Sequence, residues 1–270
     1  MRVMRVKSII YVSLLFLSSC SNLFDYQPYD GLISGEQNIN KTNIARIESA
    51  CSSKDTIRFI MISDTQRWYD ETEDFVKVAN KRTDVDFVIH GGDVTDFGVT
   101  KEFLWQRDIL NKLNVPYVVV LGNHDCLGDG QEVFEKIFGT PNFSFKANNI
   151  KFVCLNTNAL EFDYSNPVPD FEFIESQLDS VLAANAKTVF VMHARPYNEQ
   201  FNNNVAKVFE YDIKRFPQLQ FCLSGHDHRI EADDLFNDGV MYYGSANIAK
   251  RSYLLFTIYN KGYNYEVVNF

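Results

Sequence analysis

Nowhere in the 270 residues does the chain hold twenty apolar residues in succession, which excludes a membrane-spanning helix of ordinary length. Positive charge is also short, with 26 Lys and Arg against 35 Asp and Glu for a formal net charge of -9. A protein that neutralises phosphates along a polymer needs the opposite balance, so no nucleic acid polymer is expected as a partner. Cysteine is sparse: five residues (Cys20, Cys51, Cys126, Cys154, Cys222) without CxxC spacing, which argues against a disulfide framework and a zinc-thiolate site. Cys154 and Cys222 sit in apolar runs and read as buried strand residues. Neither the 7 Pro nor the 13 Gly gather into a linker, so one large domain is the expectation.

What the chain does have is 46% hydrophobic residues, enough for a sizeable core. Its beginning reads as a targeting segment. Arg2, Arg5 and Lys7 precede the apolar run Ser8 to Leu17, the shape of a secretory signal. Leu17-Ser18-Ser19-Cys20 follows and is similar to the lipobox of bacterial lipoproteins, in which cleavage before the Cys exposes it for lipidation. An ordinary cleaved signal with an incidental Cys is the alternative. The division expected is a signal peptide over 1–19, a lipidated Cys20 with a tether and loosely packed lead-in over 20–54, and a catalytic domain over 55–270. A protein of the bacterial cell envelope would follow, membrane-anchored by its N-terminal lipid and facing the periplasm or the cell surface. Its oligomeric state is not readable.

Beyond residue 55, short apolar runs alternate with helix-period stretches. Ile57 to Ile62, Asp86 to Ile89, Tyr117 to Leu121, Ile150 to Leu155, Thr188 to Met192 and Leu219 to Leu223 are apolar on both faces, as strands covered on both sides are. Asp70 with Glu73 predicts a capped helix start, and Pro169-Asp170 opens a helix with Ile174, Leu178, Val181 and Leu182 on one face. Thr100 to Leu113, Gln131 to Phe138 and Asn204 to Arg215 also read as helical. Val240 to Tyr243, Tyr253 to Tyr259 and Tyr263 to Val268 have no helices between them, with a turn at Asn260-Lys261-Gly262, and predict antiparallel strands. The fold class is mixed α/β.

Several of these strands end in a short polar cluster, where loops at the carboxyl ends of strands build sites. The clusters are Ser63-Asp64-Thr65-Gln66, Gly91-Gly92-Asp93-Val94-Thr95-Asp96, Gly122-Asn123-His124-Asp125, Met192-His193 and Gly225-His226-Asp227-His228. Four of the five histidines fall in them. Carboxylates and imidazoles converging beside glycines, which let backbone approach closely, are the inventory of a metal site. Taken singly, Asp64, Asp93 and Asp96 would pass for turn residues or helix caps, and His193 for a hydrogen-bonded core histidine. His90 reads as structural, Arg195 as a loop residue within reach of a substrate phosphate, and Trp68 and Tyr69 as flanking the site mouth.

Together, and in this order, the clusters resemble those of the calcineurin-like metallophosphoesterase family, whose pattern is D-x-H, G-D-x-x-D, G-N-H-[DE], a lone His, and G-H-x-H. The resemblance implies a four-layer αββα sandwich of two mixed sheets flanked by helices. It implies two divalent metal ions, one held by Asp64, Gln66, Asp93 and His228, the other by Asp93, Asn123, His193 and His226, with Asp93 bridging. It further implies hydrolysis of a phosphate mono- or diester by a hydroxide shared between the ions. His124 would then contact a phosphoryl oxygen or protonate the leaving alcohol, with Asp125 orienting its imidazole. The chain departs from the family at Gln66, where a ligand His is usual. A neutral amide oxygen is a harder, weaker ligand than imidazole and tilts that site toward Mn or Mg and away from Zn; the metals expected for the pair are Mn or Fe, with Mg or Zn possible. The function expected is hydrolysis of a small phosphorylated substrate by an exported, lipid-anchored enzyme. The competing reading is a non-catalytic lipoprotein that binds a phosphorylated ligand on the same fold, with Gln66 marking decayed chemistry.

Overall fold

The computed structural model describes residues 32–184 and 186–270; the Ser8 to Leu17 run and Cys20 lie outside them. In chain order the strands are β1 (Ile57–Ile62), β2 (Phe87–His90), β3 (Tyr117–Val119), β4 (Phe143–Ala147), β5 (Ile150–Leu155), β6 (Lys187–Met192), β7 (Leu219–Ser224), β8 (Glu231–Asp233), β9 (Tyr242–Gly244), β10 (Ser252–Tyr259) and β11 (Gly262–Asn269). The helices are α1 (Ile39–Cys51), α2 (Tyr69–Ala79), α3 (Thr100–Leu110), α4 (Gly130–Ile137), α5 (Phe171–Ala184) and α6 (Ala206–Ile213). Two sheets form, ordered β11-β10-β1-β2-β3 and β4-β5-β6-β7-β9-β8. In the first, β1-β2-β3 run parallel out to the β3 edge, with β10 and β11 antiparallel on the other side; in the second, β5-β6-β7-β9 run parallel, with β4 and β8 antiparallel at the two edges.

Alternation along each strand assigns side chains to two layers. From β1, Phe59 and Met61 point between the sheets, while Ile60 and Ile62 point outward under helices. Phe59 is in register with Phe87 and Phe256, and their rings stack at 5.2 and 5.3 Å; Phe152 of the opposite sheet meets Phe59 edge-on at 5.3 Å. Each such ring contributes about 1.5–3 kcal/mol by leaving water. Helices α2, α3 and α4 cover the outer face of the first sheet through Phe75, Phe103 and Phe134. Helices α5 and α6 cover the second through Ile174, Leu178, Phe209 and Ile213. The αββα sandwich expected from the family resemblance is thus the observed architecture. All four described cysteines are free, with Cys154 and Cys222 buried.

Four local expectations need correction. The loosely packed lead-in before residue 55 contains α1, whose Ile47 and Cys51 are wholly buried. Its Asn40 amide donates to Val119 O and accepts from Val119 N, both at 2.8 Å, and Asn43 donates to Tyr117 O. The helix thereby satisfies the open edge of β3, a role for polar residues that hydrophobic periodicity does not register. Strand β9 pairs in parallel with β7 in the second sheet, so only β10 and β11 form the antiparallel hairpin predicted for the tail. Strands β4 and β8 were not predicted; β8 has three residues with one carboxylate at each end and no apolar run to mark it. Helix α2 starts after Trp68 without a side-chain cap, and Asp70 acts from its first turn, where a carboxylate favours the helix dipole.

Candidate metal centre

Every predicted cluster arrives at one place, the carboxyl ends of the strands. Asp64 and Gln66 follow β1, Asp93 follows β2, Asn123 and His124 follow β3, His193 follows β6, and His226 and His228 follow β7. Backbone hydrogen bonds knit these loops together: Asp64 N to Gly92 O at 3.0 Å, Gln66 N to Asp93 O at 3.1 Å and Gly225 N to His193 O at 3.0 Å. Asp64, Gln66, Asp93, His226 and His228 all have positive φ, a conformation non-glycine residues adopt at a cost and keep where the surroundings enforce it. Two glycines are required by close approach. A Cβ on Gly122 would sit 2.0 Å from Asp93 N and 2.2 Å from its Oδ1, and one on Gly225 would sit 2.0 Å from Ser63 Oγ.

The side chains form two groups that share one carboxylate. Asp93, His193 and His226 bring ligand atoms within 4.8 Å of one another, and so do Asp64, Asp93 and His228. Asn123 Oδ1 joins the first group, 3.0 Å from His193 Nε2 and 2.9 Å from His226 Nδ1. Gln66 lies beside the second, its Nε2 donating to Asp93 Oδ2 at 3.2 Å.

The donor set fits cations. His193 Nδ1 is committed to the Gly91 carbonyl at 2.8 Å, which turns the Nε2 lone pair of the neutral ring inward. That lone pair faces Asn123 Oδ1, His226 Nδ1 at 3.3 Å and Asp93 Oδ1 at 3.4 Å, all electron-rich, a convergence that only a positive charge relieves. Burial opposes charging His193, but the Asp93 and Asp64 carboxylates outweigh it, pushing its pKa up to about 10. A proton held that firmly marks where a metal ion would be favoured. Asp64 Oδ1 is buried without a hydrogen-bond partner and lies 3.2 Å from His228 Nε2, a second atom suited to a cation.

The surroundings revise two roles. Asp125 does not orient His124. Wholly buried, its carboxylate accepts from Val94 N (3.2 Å), Thr95 N (2.8 Å), Thr95 Oγ1 (2.9 Å) and Gly122 N (3.0 Å), clamping the loops that carry Asp93 and Asn123. His124 Nδ1 is held instead by the main-chain carbonyl of Asp96 at 2.7 Å, leaving Nε2 as the nitrogen able to exchange a proton with a ligand. Arg195 is not available to a phosphate: Asp227 at 2.9 Å, Asp233 at 2.8 Å and Glu231 surround its guanidinium. His90 is structural, as predicted. Its Nδ1 accepts from Gly92 N, its Nε2 meets Thr65 Oγ1 at 2.9 Å, and burial lowers its pKa to about 4.

Sequence reasoning missed two groups. Glu199 Oε1 lies 3.3 Å from His226 Nε2, fixing the tautomer that turns Nδ1 inward. Arg67, on the solvent side next to Gln66, pairs with Asp96 and is an exposed cation beside the site. Neither belongs to a motif; the Gln66–Trp68 adjacency was the one available hint for Arg67. Of the two aromatics expected at the mouth, Tyr69 packs edge-on against Trp105 at 5.6 Å, and Trp68 packs on the core beneath α2.

Comparison with known proteins agrees with this geometry. The chain is 25% identical over 234 residues to the uncharacterized protein YvnB of Bacillus subtilis (strain 168), covering 74% of this chain but only 18% of that protein. It is 24% identical over 184 residues to the 3',5'-cyclic-nucleotide phosphodiesterase alr5338 of Nostoc sp., covering 63% of this chain and 68% of that protein. Among solved structures, a dimetal phosphatase from Danio rerio superposes with a TM-score of 0.62 at 12% identity, over 79% of this chain and 98% of that one, a likeness of fold. The family model for calcineurin-like phosphoesterases matches residues 57–229, a span that takes in all five polar clusters, and the chain belongs to that family.

Proposed function

We propose that the protein hydrolyses a small phosphate mono- or diester with two divalent cations, Mn or Fe in preference to Mg or Zn, and that it does so as an exported, lipid-anchored protein of the bacterial envelope. One observation carries the catalytic reading: two three-residue ligand groups share Asp93 at the carboxyl ends of the strands. Asp93, Asn123, His193 and His226 would hold one ion; Asp64, Asp93 and His228 would hold the other, with the Gln66 amide oxygen as a weak fourth donor. Bound cations supply positive charge for phosphoryl oxygens and make water acidic enough to act as a nucleophile near neutral pH. His124, anchored through Nδ1–H to Asp96 O, presents Nε2 to the leaving oxygen; with both nitrogens protonated the ring gives it the Nε2 proton and is left neutral with its proton on Nδ1. Arg67 gives the substrate phosphate a second, exposed partner, and Glu199 keeps His226 in its ligating tautomer.

The name of the Nostoc relative makes a cyclic nucleotide the first diester to try. The basic start, short apolar run and Leu17-Ser18-Ser19-Cys20 sequence support export and anchoring, which mass spectrometry of the mature N-terminus tests. For activity, the test is hydrolysis of a paired phosphomonoester and phosphodiester with Mn, Fe, Mg or Zn, beside a His124→Ala variant. Turnover should require metal and fall about 10²–10⁴-fold in the variant, the usual worth of a positioned proton donor. Absence of turnover with every metal, together with retained phosphate binding, would favour the non-catalytic lipoprotein.

A further inference from the structure

Each imidazole at the centre uses one nitrogen inward and the other outward, and the outward partner decides which nitrogen carries the proton. For three of them that partner is an acceptor: Gly91 O for His193, Glu199 Oε1 for His226 and Asp96 O for His124. His228 differs. Its Nε2 faces Asp64 Oδ1 at 3.2 Å, and its Nδ1 lies 3.4 Å from Asn247 Nδ2, the donor end of a carboxamide. A donor there holds the neutral ring with its proton on Nε2, the tautomer that blocks ligation. The acceptor end of the same amide, Asn247 Oδ1, is buried without a hydrogen-bond partner.

We infer that Asn247 is the positioning residue for His228, and that in the metal-loaded protein its amide is turned by 180° so that Oδ1 accepts the His228 Nδ1 proton. The two ends of a carboxamide are nearly the same size, so the turn needs little room and gives the unpaired oxygen a donor. Main chain holds the residue in place: Asn247 forms a bridge with Ser63 beside β1, and Ile248 N donates to Asp64 O at 3.4 Å. Asn247 thus stands behind His228 on the segment that also touches the Asp64 loop. This assignment rests on the metal-dependent reading above and adds to it a residue outside every motif that the sequence displays.

Two variants of the full-length chain test it. Asn247→Asp supplies an acceptor in either orientation and should bind the weaker of two Mn ions within about threefold of the parent. Asn247→Leu, similar in size but without an acceptor, should weaken that ion by about 10–100-fold, the usual cost of losing a partner behind a metal-bound histidine, while the tighter ion is unaffected. Binding is read by calorimetric Mn titration, with a thermal melt to select folded protein. A second readout is independent of turnover: ¹⁵N imidazole spectra of the Zn-loaded parent should show the His228 proton on Nδ1. Folded Asn247→Leu that binds both ions like the parent, or a Zn-loaded parent with the proton on Nε2, overturns the assignment alone. A folded parent that takes up no metal overturns the metalloenzyme reading and this inference with it.

Discussion

The two halves of the centre are built to different standards. In the half formed by Asp93, His193 and His226, the first two are essentially inaccessible, His193 is fixed by a main-chain carbonyl, and Asn123 spans both imidazoles. In the half formed by Asp64, Asp93 and His228, the His228 side chain is 41% exposed, Gln66 offers an amide in place of an imidazole, and the outer partner of His228 is a side chain able to turn. Both halves use Asp93, so the contrast lies in the other ligands. Preorganised ligands lose little entropy on binding, and burial strengthens their field. On the proposed two-ion reading, one tight ion and one exchangeable ion are the expected result.

The largest effect should come from breaking the tight half. His193→Ala removes the best-anchored imidazole and leaves Asp93 and His226 without their common neighbour, so turnover should fall on the order of 10³-fold, at the upper end for losing an electrostatic stabiliser. His228→Ala should cost less, on the order of 10²-fold, and excess Mn should restore part of the rate. Metal content after dialysis distinguishes them: the His228 variant keeps about one ion per chain, and the His193 variant keeps none. Equal retention by both would mean that burial does not rank the two halves.

Gln66→His sharpens the same contrast from the weaker side. An imidazole in place of the amide should tighten the exchangeable ion by about tenfold and shift preference toward Zn, following ligand softness. The replaced side chain also gives up its hydrogen bond to Asp93 Oδ2, and so frees the carboxylate that the two ligand groups share. Competition between Mn and Zn in the parent and the variant measures this. An unchanged preference would show that Gln66 acts only as the donor that steadies Asp93.

What was legible in the sequence were the points where a strand ended in a polar residue, because strand period and ligand chemistry coincide there. Asp64, Asp93, Asn123, His193, His226 and His228 are all of this kind, and the structure brings them together. Partners set by tertiary packing were not legible. Asp125 follows His124 in a short 3-10 turn, so the two side chains diverge, and the group that holds His124 is a carbonyl, which every residue possesses. The cage around Arg195 draws on Glu231 and Asp233, which lie two residues apart on one face of β8, a strand without a hydrophobic signature. The stretch around Thr42 to Ala50 reads as a short amphipathic piece, but the strand-pairing role of Asn40 and Asn43 does not show, because an edge strand's need for hydrogen bonds appears only once its neighbours are known.

The smallest expected effect concerns what lies beneath the tight half. Burial and the nearby Asp93 charge push the Asp125 pKa up to about 7, against the main-chain N–H groups of Thr95, Gly122 and Val94 that favour its ionised form. An unfolded Asp titrates near 3.9, so between about pH 4 and 7 the folded state holds a proton that the unfolded state has released. Stability from this group is therefore complete below about pH 4 and is lost as pH rises toward 7. Thr95 Oγ1 is suited to either form, since a hydroxyl can donate to the carboxylate or turn to accept from the acid. Denaturation midpoints of metal-free protein at pH 5 and pH 8 should differ in that direction, and Asp125→Asn, which cannot ionise, should shrink the difference to the part contributed by His193, which in the folded state keeps its proton above the pH of about 6.5 at which the unfolded chain releases it. Metal beside Asp93 offsets the charge that raises this pKa, so loading the parent should flatten it as well. A pH dependence of undiminished size in Asp125→Asn would assign it to His193 or another group and leave Asp125 without a share in it, its side chain serving only as the clamp of the two loops that carry Asp93 and Asn123.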